Sequence, residues 1–594
     1  MEVNSFEFID HGGGQNDGPS PSHIADRELA SLVNFYPYGQ SLIRRNGVAQ
    51  LTQTPAGVDI TTPFSFKDSD SGVWALFGFS RVGLQRMDGQ GFVNVGGAFA
   101  DSAIPWCAEQ YRNVGYAVRS GVGSLQRFTR DFMIPAGIAA PLTAPTLADG
   151  GAGSLAAATY RGVVTSYNRD TDAESNPCAI GTPLTTIGSK QIAWSSIPIP
   201  ASAGQITSRR LYRTLPDQQG EYFFVAQIDD INTTTYTDNV VPSNLGRAAS
   251  FSNGIPPQAA LRFMRFWKER CWVADETNIY FSELGLPESF SGTSLIQVFP
   301  DNGAPITGLY PWGDRFVIAK SNLVAYVVGT DESDFALQVL SERHGVASHH
   351  SMRSAEGVLI WFGGDNFYRS AGEAPQAISN YKVRRIVDAI PAGQRSEVYA
   401  ALLPKRAWYL ASVPQAGGTR VVLCYNYKAD AWAVFNHFSG IGFLADALDS
   451  DGNETVYAAV PSYTPGGTEG QHIFQYDQGN QDWGNAIVAT LKSKAHNFQR
   501  SGKLQSIAVL RLLTASVDES ITLYSNVDMA TPPENQRTVS LARGTPMWKD
   551  YMLSNRRRPG AFLQYGLLYS GRTAIEIRGI GLDVMQTERV RGAA

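Results

Sequence analysis

Phe316-Val-Ile-Ala-Lys-Ser-Asn-Leu-Val-Ala-Tyr326 and Leu359-Ile-Trp-Phe-Gly-Gly-Asp-Asn-Phe-Tyr-Arg369 are built alike. Each opens on four apolar residues, turns through a short polar segment, and returns as a second apolar run with a tyrosine. Short β-branched and aromatic runs bounded by Gly, Asn or Asp are strands, and two of them around a tight polar turn make a hairpin. Val114-Gly-Tyr-Ala-Val-Arg-Ser-Gly121 and Cys271-Trp-Val-Ala-Asp-Glu-Thr-Asn-Ile-Tyr-Phe-Ser282 repeat the scheme. Working outward, units of this kind begin near Phe64, Ile104, Leu261, Ile306, Met352, Val398 and Gly442. Their spacing within each run is about 40 to 50 residues, the length of a four-stranded propeller blade. The hydrophobic period is two almost everywhere. The fold class expected is therefore mostly β, a β-propeller of about six or seven blades. Helix is expected in two places: from Asp26 to Val33, with Asp26 as N-cap, and over residues 382–391, stopped at Pro391.

The run of blades is interrupted once. Pro141-Leu-Thr-Ala-Pro-Thr-Leu147 follows a small-residue linker, and several short strands fall between there and Ser252, a density that suits an immunoglobulin or fibronectin-III sandwich insert. A second shift lies near Asp482–Ile487. From Gly484 to the end there are 15 Lys/Arg against 8 Asp/Glu, whereas the first 483 residues carry 34 against 46. The expected division is an N-terminal docking arm and first strands (1–62), the propeller's first part (63–140), the insert (141–252), the propeller's second part (253–483) and a C-terminal β platform (484–594).

Composition excludes several classes. With 43% hydrophobic residues, 58 Gly and 31 Pro without a Gly-x-y period, the chain of 594 residues is neither disordered nor collagen-like. Cys107, Cys178, Cys271 and Cys424 stand far apart and make no disulfide framework. The longest apolar stretches, such as Ile134 to Leu142, are far short of the roughly 20 residues of a spanning helix, so no membrane-spanning segment is expected. Met1-Glu-Val-Asn-Ser5 lacks the basic and apolar regions of a secretory signal, which implies a product of the cytoplasm. A net charge of −5 argues against a sequence-reading nucleic-acid binder.

Sites for chemistry are sparse, and no cofactor, metal or catalytic residue is assigned. There is no P-loop, and Gly12-Gly-Gly-Gln-Asn-Asp-Gly18 precedes no strand–helix unit. His344, His349 and His350 are close in sequence but lack an acidic or Cys partner at ligand spacing. Asp449-Ser-Asp-Gly-Asn-Glu454 lacks the full calcium-loop spacing and reads as a turn between strands. Asp68-Ser-Asp-Ser-Gly-Val-Trp74 resembles a sialidase Asp-box with the Trp one place early, and it occurs once. Glycan hydrolysis needs two facing carboxylates, which a sequence does not display. No G-x-S-x-G elbow is present. Arg556-Arg-Arg558 reads as a solvated charge run or a contact with an acidic partner subunit.

The first 50 residues carry the most specific pattern: Gly12-Gly-Gly-Gln-Asn16, Ile24-Ala-Asp-Arg-Glu28, Asn34 and Arg44-Arg-Asn-Gly47. This opening resembles that of the tail nozzle proteins (tail tubular or stabilisation proteins) of short-tailed bacteriophages. Trp312-Gly-Asp-Arg-Phe316 and Gly363-Gly-Asp-Asn-Phe-Tyr368 are similar to the same family. The resemblance implies a structural virion protein and no enzyme. It implies a hexameric ring below the head-to-tail adaptor and portal, which lengthens and gates the DNA-ejection channel and anchors fibres, spikes or a needle. Such a protein is assembled in the host cytoplasm and resides in the phage tail. Genomic DNA would pass through the lumen without sequence-specific binding, and a lumen short of Lys and Arg adds little drag. Asp26, Glu28, Asn34, Arg44 and Arg45 are expected to organise the N-terminal docking turn, and Arg556, Arg557 and Arg558 to serve assembly. The competing expectation is a propeller that binds or cleaves host polysaccharide.

Overall fold

The computed structural model describes all residues except 1, 19, 54–58, 69–70, 89–90, 201–204, 438–439, 461–471, 499–502, 515–518, 530–534, 542–547, 553–558 and 589–594. The chain is mostly β. Among the described residues seven four-stranded antiparallel blades stand around one axis, and their innermost strands are Ile60–Lys67, Cys107–Tyr111, Phe263–Trp267, Ile306–Trp312, Arg353–Ala355, Tyr399–Leu403 and Phe443–Leu448. Each begins within four residues of a repeat unit marked in the sequence. The blades hold together through apolar layers between them. Blades 3 and 4 share Trp272, Phe281, Phe316 and Ile318, and blades 4 and 5 share Val317, Val324, Leu359 and Trp361.

The ring closes without a covalent link. The last blade contributes three strands, Phe443–Leu448, Glu454–Val460 and His472–Tyr476, and its fourth is Val48–Gln53, from ahead of blade 1. Ile60, Leu76, Tyr457 and Ile473 then form a common core between the last blade and the first. Leu448 N–H donates to Ser65 Oγ (3.1 Å) across the same seam.

Between the second and third blades the chain leaves the ring and builds two main sheets over one core, with a further two-stranded pair, Thr159–Tyr160 and Leu184–Thr185, beside them. Thr146–Leu155, Lys190–Ser195 and Tyr236–Asp238 form the first, and Ala173–Glu174, Gly162–Asn168, Ser208–Arg213 and Phe223–Ile228 the second. Val163, Ile192, Trp194 and Leu211 fill the space between them. A fully buried ion pair, Arg213 Nε to Asp238 Oδ2 (2.7 Å), joins the two sheets.

The N-terminal and C-terminal segments are woven together. Glu2–Phe8 and Ser41–Arg44 both pair with the long strand Glu576–Glu588. Glu28–Val33 lies between Ala489–Ser493 and Ala431–Phe435, the outermost strand of blade 6. One ten-stranded sheet therefore runs from blade 6 through the N-terminal strand into the C-terminal region. A single apolar core follows it, from Trp408 and Phe435 through Leu29, Leu32 and Phe35 to Leu491, Leu567 and Leu582.

This pairing overturns the helix expected over Asp26–Val33. Two turns of isolated helix are marginal, whereas the strand Glu28–Val33 gains ladder bonds on both edges and buries Leu29 and Leu32 in the core. Asp26 caps nothing; its exposed carboxylate meets Lys494 Nζ (2.7 Å). The second helix expectation corresponds to a short α-helix, Arg384–Asp388. Gly14 of the glycine run is packed against blade 6. Gly14 sits at φ +66°, and a Cβ there would stand 2.6 Å from Trp432 O. Asp449 is a turn residue, its Oδ1 accepting from Asn453 N–H (2.8 Å) in the hairpin that pairs Leu448 with Glu454.

Candidate functional site

The joint between propeller and platform and the hollow along the propeller axis both concentrate polar groups inside this scaffold. The joint is built on Asn34. The strand Glu28–Val33 must bend before it can resume as Phe35–Tyr38, and Asn34 makes the bend at φ +57°, a left-handed conformation that Asn tolerates better than most residues. Its amide then reaches three segments. Nδ2 donates to Val488 O (2.7 Å), and Oδ1 accepts from Arg45 Nε (2.8 Å) and Asn436 N–H (2.9 Å).

Arg45 uses all five of its N–H donors. Besides Asn34, it donates to Asn46 O (2.9 Å), Asn436 O (2.8 Å) and both oxygens of Asp482 (2.8 and 2.5 Å). Its side chain is 1% exposed and that of Asp482 5%. Burial opposes ionisation of Asp482, yet Arg45 and His437 hold its carboxyl far below the usual carboxylate range. His437 Nε2 shares a hydrogen bond with Tyr476 Oη (2.8 Å). Burial, reinforced by Arg45, pushes the His437 imidazole down to about 4. Gly47 closes the turn where the backbone passes Gln481: a Cβ there would stand 1.8 Å from Gln481 O.

The side chains of Asn34, Arg44 and Arg45 are thus interior. They hold the bend from inside and present no surface to a partner. Arg44 donates to Asn480 O (2.9 Å). Glu28 accepts from Asn16 Nδ2 (2.7 Å) and pairs with Lys382, which ties the N-terminal strand to the segment after blade 5. Arg556, Arg557 and Arg558 lie outside the described residues. Asp482 was not singled out in the sequence. An Asp 437 residues from its arginine leaves no local signal.

Removing the Asn34 side chain separates backbone from hydrogen-bond effects. Asn34→Ala loses the three bonds and strains the left-handed bend, and we expect a cost of about 2–4 kcal/mol. Asn34→Gly loses the same bonds without the strain, so it should be milder by roughly 1 kcal/mol. Urea midpoints of the two variants check this, and equal midpoints would show that the bend is unstrained.

The axial hollow has an outer and an inner chamber. The outer one, about 640 Å³, lies where the seven inner strands begin. Its walls combine Ile60, Ile104 and Ile306 with a cluster of rings. Phe263 stacks on His349 (4.7 Å), and Phe443 packs on His350 (5.0 Å) and Tyr399 (4.7 Å). His349 Nδ1 accepts from Leu309 N–H (3.2 Å), which assigns its proton to Nε2. Burial, with Arg265 and Arg353 nearby, holds both histidines well below their ordinary value, so they are neutral. Ser348 Oγ is committed to Val398 O (2.6 Å). His344 stands apart, its Nδ1 against Ser341 Oγ (3.0 Å). Among the described residues no three His, Cys, Asp or Glu side chains are grouped to hold a metal. The inner chamber, about 360 Å³, shares Cys107, His350 and Phe443 with the outer one.

Neither a family model nor a curated protein matches the sequence. Among solved structures the chain is similar to Hsv2 of Kluyvelomyces marxianus, at 9% identity over 49% of this chain and 90% of that one, with a TM-score of 0.24. It is also similar to an exo-beta-1,3-galactanase of Phanerochaete chrysosporium, at 9% identity over 83% and 100%, with a TM-score of 0.17. A third similar structure is U3-55K, at 10% identity over 72% and 98%, with a TM-score of 0.24. Likenesses at these scores carry no argument about function. Among the described residues no helix is long and apolar enough to cross a membrane.

Proposed function

We propose that this chain is a structural subunit of a short-tailed bacteriophage tail. In this reading copies assemble as a ring-shaped nozzle below the portal and adaptor, extend and gate the DNA-ejection channel, and anchor fibres or spikes. The observation that carries the reading is the continuity of the scaffold. One sheet and one core pass from the propeller through the N-terminal strands into the C-terminal sheets. A subunit in the wall of a conduit must transmit load between its bodies, and a shared sheet does so without a hinge. The resemblance to nozzle proteins supports the same reading, because part of the stretch that carries it, from Ile24 to Gly47, forms that joint.

Native mass spectrometry and negative-stain imaging of the purified chain, alone and with portal and adaptor, test it. Rings of six subunits are expected, at least in the presence of the adaptor. A monomer under both conditions that binds or cleaves polysaccharide would establish the competing reading instead. That second reading is favoured by one feature, the ring-lined outer chamber at the propeller mouth.

A further inference from the structure

The inner chamber of the propeller brings Arg265 and Glu109 near each other with no salt bridge between them among the described residues; burial raises the Glu109 carboxyl, and Arg265 nearby lowers it. Side chains alternate along a strand, so a residue lining the outer chamber is followed two places on by one lining the inner. Phe263 is followed in this way by Arg265, and Cys107 by Glu109. Arg265 donates from Nη1 to Met264 O (3.2 Å). Glu109 accepts from Phe266 N–H (2.9 Å) through Oε2. Among the described residues neither makes an ion pair within 4.0 Å, with the other or with a third group. The other two charges of the chamber, Arg353 and Asp446, pair with each other.

Glu109 and Arg265 are half-buried, and a charge partly withdrawn from water gains from a partner that compensates it. Among the described residues, an arginine with most of its donors unclaimed beside a carboxyl group with one hydrogen-bond partner is therefore a site able to take a polar ligand. The walls set the rest of the chemistry. Phe64, Trp106, Tyr310 and Phe443 supply rings. Tyr310 Oη accepts from Ser354 N–H (2.9 Å), which leaves its own proton to donate. At about 360 Å³ the chamber is at the small end of ligand pockets, which run from roughly 300 to 1,000 Å³. It is not sealed from solvent: the Asp446 side chain in its wall is 44% exposed.

We propose that this inner chamber binds a small organic acid that carries a ring and, near its carboxylate, an ammonium or hydroxyl group. The carboxylate lies in the fork of Arg265, the neighbouring donor faces Glu109, and the ring packs against the aromatic wall. A guanidinium matches a carboxylate through two parallel bonds, which a lysine does not reproduce. The site is independent of the nozzle reading, since it lies within one propeller and needs no second copy.

Calorimetric titration of the full chain tests this with four probes: phenylalanine, mandelate, benzoate and benzyl alcohol. Phenylalanine or mandelate should bind at millimolar concentration or below, benzoate more weakly, and benzyl alcohol not measurably. Arg265→Gln should weaken the acids by about tenfold or more, and Arg265→Lys should recover only part of that loss. Glu109→Gln should weaken phenylalanine by about tenfold while leaving benzoate within about twofold. Circular dichroism of each variant separates lost binding from lost folding, and the Lys variant serves if the Gln variant does not fold. The proposal falls if no acid binds at millimolar concentration, if benzyl alcohol binds as well as the acids, or if a folded Arg265 variant binds like the parent.

Discussion

Arg45→Ala should destabilise the protein by about 3–5 kcal/mol, the range seen when one partner of a buried ion pair is removed. The reason is the state of what remains. Asp482 would keep its charge at 5% exposure with only His437 beside it. Asn34 Oδ1, Asn46 O and Asn436 O would each lose a donor at the same time. Arg45→Lys should restore little, because one ammonium has three donors and no fork where five directed bonds are now made. Arg45→Met with Asp482→Leu should recover most of the loss, since buried pairs replaced together by apolar groups of similar size are often close to neutral. Differential scanning calorimetry of the four proteins decides the matter. An Arg45→Ala protein that melts within a degree or two of the parent would mean that the joint contributes nothing to stability. Because this joint fastens the propeller to the platform, the same variant should also release the platform first in limited proteolysis.

The propeller was readable because its grammar is local. A strand, a polar turn and an aromatic strand fit within about a dozen residues, and seven such units recur at blade spacing. A sharper signal was present as well. Trp267 and Trp312 each end an inner strand, each is followed three residues on by an arginine, and each donates Nε1–H to a turn glycine of the next blade, Gly313 (3.1 Å) and Gly357 (2.9 Å). The joint was half-readable. Asn34 and Arg45 stood out from their neighbours, but their partners Val488 and Asp482 are several hundred residues away. Strand pairing at that separation also explains the error over Asp26–Val33. Its local pattern fits two helical turns, and only the distant Ala489–Ser493 and Ala431–Phe435 make it a strand. The hollow was not readable at all, because Glu109 and Arg265 come from blades separated in sequence by the whole insert.

Acid should unfold this protein earlier than its carboxylates alone would dictate. His11, His437 and His496 are buried, and burial pushes each from 6.5 down to about 4. His496 is stacked between Phe498 (5.1 Å) and Tyr565 (5.6 Å), and neither ring nitrogen of His11 has a partner among the described residues. Between pH 6.5 and 4 the unfolded chain therefore binds more protons than the folded one, so stability falls as the pH falls through that window. Below about 4 these three protonate in the folded state too and add no further loss, whereas His349 and His350, held lower still, go on adding to it. A shift of this size corresponds to at most about 3 kcal/mol for each histidine. His496 sits in the platform, His11 in the N-terminal segment near it, and the third in the joint. Asp482 acts in the next window, since its depressed carboxyl stabilises the fold above the ordinary carboxylate range and loses that contribution as the pH drops below it. Melting temperatures from pH 8 to pH 4 should accordingly decline most steeply between 6.5 and 4, and His496→Phe should flatten the decline while keeping the ring stack. A profile that is level down to pH 4.5 and then collapses would assign acid sensitivity to the carboxylates and leave the buried histidines without a role in it.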